Sequence, residues 1–102
     1  NTEIDNKKFL NGSMRIEKEV KVLNVNGLHA RPAALFVKVA SRYQAEIELV
    51  FDDISVSGKS IMGLLTLGCE QGTPLTIVAD GVDAEEAAVA LVDIFDRKFD
   101  EE

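Results

Sequence analysis

Residues 46–57 read Glu46-Ile47-Glu48-Leu49-Val50-Phe51-Asp52-Asp53-Ile54-Ser55-Val56-Ser57. Polar and apolar side chains alternate through the first half, Asp52-Asp53 makes a turn, and Ile54 and Val56 resume on one parity until Gly58 ends the run. Successive strand residues point to opposite faces, so this pattern predicts an antiparallel hairpin with one buried and one solvated side.

The neighbouring segments extend that sheet. Upstream, Ile16, Val20 and Val22 share one parity among charged residues and predict a first strand over about residues 15–24. Between it and the hairpin, Ala33, Phe36, Val37 and Ala40 recur at helical spacing and predict a helix over 30–41. Downstream, Ser60 as N-cap and Gly68 as stop bracket a short helix, and Gln71-Gly72-Thr73-Pro74 turns into a strand over 75–80. The last helix opens on Asp83 and Glu86, an aspartate version of the capping box, and buries Ala84, Ala87, Ala88, Leu91, Ile94 and Phe95. Arg97 and Lys98 lie near its end, where the helix dipole favours cations. The order is βαββαβα: an α+β fold, an open-faced β-sandwich whose four-stranded antiparallel sheet has three helices on one face.

The candidate chemistry lies at the start of the first helix. Residues 26–34 read Asn26-Gly27-Leu28-His29-Ala30-Arg31-Pro32-Ala33-Ala34 and hold the only histidine of the chain. Proline is tolerated in the first turn, where backbone N–H groups have no intrahelical partner, so Pro32 marks a helix N-terminus with His29 at or just outside it. Free amides and the positive end of the dipole suit an anion there, and Arg31 adds a full charge and a planar fork of donors. The constellation predicts an imidazole that meets or carries a phosphate.

Composition bounds the alternatives. The 102 residues, 46% of them apolar, fit one domain with one core. Eighteen acidic against eleven basic residues give a net charge of −7, which disfavours nucleic acid and acidic membrane surfaces and favours a protein partner. No apolar run approaches the ~20 residues that cross a bilayer, and no secretory leader is recognisable, so a cytoplasmic location is expected. Residues 1–13 are polar and aperiodic and read as an expression leader or disordered extension ahead of a domain over 14–102. Cys69, the single cysteine, reads as a small apolar filler after Gly68. Gly58-Lys59-Ser60 ends like a nucleotide-binding P-loop, but Asp53 stands where that motif requires its first glycine. One histidine and one cysteine far apart offer no metal site, and no cofactor is expected.

Gly27-Leu28-His29-Ala30-Arg31-Pro32-Ala33, together with Gly58-Lys59-Ser60-Ile61-Met62-Gly63 and Thr66-Leu67-Gly68, resembles HPr, the histidine-containing phosphocarrier family of the bacterial phosphoenolpyruvate-dependent phosphotransferase system. The resemblance runs from Met14 to about Phe95. It implies that His29 takes a phosphoryl group on Nδ1 from enzyme I, beside Arg31, and passes it to the EIIA domain of a sugar-specific permease. It also implies that Ser60 is the regulatory serine on which a kinase and phosphorylase acts in many bacteria, with transcriptional regulators as further partners. Such a chain is a carrier without turnover of its own, and a monomer is expected.

A docking surface follows from the same helices. Ile61, Met62 and Leu65 occupy one flank of the short helix and Leu64 and Leu67 the other, more than one core-facing stripe requires, so one flank should be exposed. In HPr-like proteins the first flank meets enzyme I. Arg31, Lys38 and Arg42, spaced by seven and four residues, stack along one face of the first helix and suit an acidic partner. Two readings compete with the sugar-branch carrier. The ending Ile94-Phe95-Asp96-Arg97-Lys98-Phe99-Asp100-Glu101-Glu102 resembles the nitrogen-related branch of the family. In a different class, a βαββαβ regulatory module would bind a small molecule and hold His29 incidentally.

Overall fold

The computed structural model describes residues 14–101; the leader expected over 1–13 lies outside the described residues. Four strands, β1 (Met14–Lys21), β2 (Glu46–Phe51), β3 (Ile54–Ser57) and β4 (Pro74–Gly81), alternate with three helices, α1 (Ala30–Ala40), α2 (Ile61–Thr66) and α3 (Ala84–Asp96). The sheet is antiparallel throughout, in the order β1-β4-β2-β3. The expected open-faced α+β sandwich is what forms.

The last strand is central, and the register shows why the alternation is legible. Ile16 faces Ala79 across β1 and β4, and Leu49 faces Ile77 across β2 and β4, so these residues share the helix-covered side. The intervening Glu17, Glu19, Glu46 and Glu48 take the other face and are exposed. Pro74, which has no N–H to give the ladder, is confined to the first position of β4, opposite Lys21. Helix α3 packs on β1 and β4, while α1 packs on α2 and α3. Phe36 of α1 meets Phe95 of α3 edge-on at 6.1 Å, and Leu64 of α2 is fully buried in the same core.

Two expectations need correction. The first strand stops at Lys21 and not near residue 24, because Val22 leaves the ladder to bond the Gln71–Thr73 turn: its N–H donates to Thr73 O at 2.9 Å and its C=O accepts from Gly72 N at 2.7 Å. Asn24 then turns inward and is wholly buried. The capping box at α3 also does not form. Asp83 makes no side-chain bond to its own helix; its two carboxylate oxygens accept the amides of Gln44 and Ala45, each at 2.9 Å, at the entry to β2. A carboxylate satisfies two orphan donors there, where one donor at the helix would have satisfied it less completely.

Candidate functional site

The N-cap of α1 is His29 itself. Its backbone is extended (φ −100°, ψ −160°), its carbonyl accepts the first helical bond from Ala33 N at 2.9 Å, and its side chain makes no capping bond. The amides of Ala30 and Arg31 precede the first intrahelical bond, and Pro32 has none, so the first turn presents donors with no helical acceptor. The imidazole is 46% exposed. It sits in an open depression lined by Asn26, His29, Arg31, Asp100 and Glu101.

The loop that delivers the histidine depends on Gly27. Its φ is +78°, a left-handed conformation that a side chain resists, and a Cβ there would stand 2.6 Å from the carbonyl oxygen of Cys69. That close approach lets Leu28 N donate to Cys69 O at 2.9 Å and sinks Leu28 into the core, which aims His29 outward. Cys69 is buried with Sγ near Leu67 O at 3.9 Å, and burial pushes its thiol up from the ordinary value. A neutral, enclosed thiol is packing, as the sequence predicts.

Arg31 is exposed one residue inside the helix and forms no ion pair among the described residues. Lys38 and Arg42 are exposed as well, Arg42 just past the helix end. At the other candidate position, Ser60 caps α2: its Oγ accepts Gly63 N at 3.0 Å. The flanks of α2 divide as expected, with Leu64 and Leu67 buried, Leu65 half-buried, Ile61 exposed and Met62 71% exposed. Among the described residues no cluster of His, Cys, Asp and Glu could hold a metal ion, and no helix is long and apolar enough to cross a membrane.

Sequence reasoning missed the acidic end of the depression. Beyond α3, the turn Lys98–Asp100 brings Asp100 and Glu101 beside His29, with Glu101 Oε1 3.9 Å from His29 Nε2. The available signal was Phe99, an apolar residue standing alone among charges after the helix end; it returns to the core against Phe95 at 4.8 Å.

An exposed imidazole thus stands on a helix N-cap, near an arginine, at the surface of a small α+β sandwich. The family model of the PTS HPr component phosphorylation site matches residues 16–97, and the chain belongs to the HPr family of phosphocarrier proteins of the phosphotransferase system. It is 46% identical over 87 residues to the phosphocarrier protein HPr of Treponema pallidum, covering 85% of this chain and 99% of that relative. The crystal structure of HPr from Thermoanaerobacter tengcongensis superimposes with a TM-score of 0.82 at 47% identity, over 85% of this chain and 98% of that one. A dimeric HPr crystal structure from the same organism matches with a TM-score of 0.67 at 49% identity, over 80% of this chain and 97% of that one.

Proposed function

We propose that His29 accepts a phosphoryl group from phospho-enzyme I and passes it to the EIIA domains of sugar-specific permeases, with phosphorylation of Ser60 as a brake. The observation that supports this most is the position of the only histidine: on the N-cap of α1, exposed, with first-turn amides that have no helical acceptor and Arg31 beside it. A phosphate on Nδ1 would meet those donors and the positive end of the helix dipole. The hold has to be moderate, since a carrier must release what it binds. Arg31 supplies a forked contact to the phosphoryl oxygens during transfer.

The docking surface is the exposed flank of α2, Ile61 and Met62 with half-buried Leu65, joined by the basic residues Arg31, Lys38 and Arg42. Ser60 lies at the head of that flank, so a phosphate there adds nearly two negative charges to the surface that enzyme I must approach. HPr kinase/phosphorylase is the expected modifying enzyme, and transcriptional regulators are expected readers of the modified form. The chain acts in the cytoplasm as a monomer, without cofactor and without independent turnover. The gly-lys-ser-ile-met-gly run at residues 58–63 supports the sugar branch over the nitrogen-related one.

The test is labelling with radioactive phosphoenolpyruvate and enzyme I. The protein should take an acid-labile, base-stable label that is absent in His29→Ala and is discharged by an EIIA domain. No label, or a label that survives His29→Ala, overturns the reading.

A further inference from the structure

The turn that follows α2 carries a charge opposite in sign to the surface it borders. Arg31, Lys38 and Arg42 make the α1 side of that surface basic, and Ile61, Met62 and Leu65 make its α2 side apolar. Beyond α2, Gly68 takes a φ of +60° and turns the chain, so that Cys69 is buried and Glu70 is exposed. Glu70 lies against the histidine loop: a Cβ on Gly27 would stand 3.1 Å from Glu70 Cα, and the carbonyl of the preceding Cys69 accepts Leu28 N at 2.9 Å. The backbone of this turn is held from several directions. Glu70 N donates to Thr73 Oγ1 at 3.2 Å, and Thr73 N donates to Glu70 O at 3.1 Å. Val22 N to Thr73 O, Gly72 N to Val22 O and Gln71 Nε2 to Leu23 O, at 2.9, 2.7 and 3.1 Å, tie the turn to the segment between β1 and α1. The Glu70 carboxylate itself makes no hydrogen bond and no ion pair among the described residues. A free charged head on an anchored backbone loses little conformational freedom when a partner engages it.

We propose that Glu70 is a specificity-determining residue for the choice of donor: enzyme I presents a lysine or arginine to its carboxylate, at the border of the acidic patch that meets Arg31, Lys38 and Arg42. This rests on the reading of α1 and α2 as the surface on which enzyme I docks. Three basic residues on one helix face accept any acidic surface of suitable shape. One carboxylate beside them makes acceptance conditional, because an uninterrupted acidic patch is repelled at Glu70, whereas a patch with a cation at that place gains an ion pair. The same side chain thus attracts the matched donor and disfavours unmatched acidic proteins. Glu70 does not line the depression around His29, so it acts on docking and leaves the reacting atoms to His29 and Arg31.

The experiment measures steady-state transfer from phosphoenolpyruvate through the enzyme I of the same organism to the parent, Glu70→Gln and Glu70→Lys, at low and at high ionic strength. At low ionic strength KM for the carrier should rise about three-fold in Glu70→Gln and about ten-fold in Glu70→Lys, with kcat unchanged. The differences should shrink towards nothing at high ionic strength, where an exposed pair is screened. Reversing to glutamate one of the lysines or arginines that border the acidic patch of enzyme I should restore KM for Glu70→Lys and raise it for the parent. Equal KM for the three proteins, a KM that falls when the carboxylate is removed, or the failure of every such reversal to rescue Glu70→Lys overturns the role of Glu70 while the label on His29 stands. A parent that takes no label from enzyme I overturns the carrier reading, and the role of Glu70 with it.

Discussion

Arg31 is one residue inside α1 and exposed, with no ion pair among the described residues, so its guanidinium is available to an incoming phosphate. Lysine keeps the charge and loses the planar fork. Arg31→Lys should therefore slow transfer from phospho-enzyme I by on the order of ten-fold, equivalent to about 1.4 kcal/mol, with an unchanged circular dichroism spectrum and melting temperature. Ser60 has two properties that a single substitution separates. As an N-cap its loss in Ser60→Ala should cost about 1 kcal/mol of stability. Aspartate also caps helices well, so Ser60→Asp should keep the fold while slowing phosphoryl acceptance at His29 several-fold in the same enzyme I assay. Equal rates for Ser60→Asp and parent would remove the regulatory role.

The elements decide which side chains are left exposed. Helix α2 is six residues long, too short to be stable by itself, and its Leu64 is driven into the core while Ile61 and Met62 remain outside. An unbranched, polarizable methionine suits the docking surface proposed for enzyme I. A charge there should disrupt docking and nothing else. Met62→Glu should raise KM for enzyme I at least several-fold and leave the unfolding midpoint within error, a split that steady-state phosphotransfer and urea titration together resolve. The amphipathic patterns that predict α1, α2 and the hairpin survive in the structure because each element buries one face in the same core. The capping box at α3 does not, because local spacing says nothing of the Gln44 and Ala45 amides, 39 and 38 residues away, that claim the Asp83 carboxylate.

That same contact ties the whole molecule to pH. The Gln44 amide above all holds the Asp83 carboxyl below the usual carboxylate range; desolvation, the next largest effect, opposes it, and the amides of Ala45 and Asp83 itself and the charge of Lys59 add to the lowering. A carboxyl with a depressed value in the folded state contributes stability that is fully present above its unfolded value, near ~3.9, and is lost as pH falls through the lower folded value. Unfolding midpoints in urea should therefore decline as pH drops below about 4, and Asp83→Asn should be less stable at neutral pH with a flatter acid limb. The tie matters topologically: it joins the start of α3 to the entry of β2, next to Gly81, where a Cβ would lie 2.7 Å from Ala45 Cα.

Period-two and helical patterning, the proline at residue 32 and the serine at residue 60 determine the order of elements, the sheet's buried face and the helix start that presents His29, since all of these are local or rest on which face of an element is apolar. The tertiary structure alone decides what surrounds the imidazole. Asn24 lies far along the chain from the adjacent pair Asp100 and Glu101, and none of the three carries a periodic signal; they meet because Phe99 is pulled into the core and Gly27 lets its loop close on Cys69. Hydrophobic burial and one permissive backbone position bring them together, and neither force leaves a trace in the spacing of the polar residues it assembles.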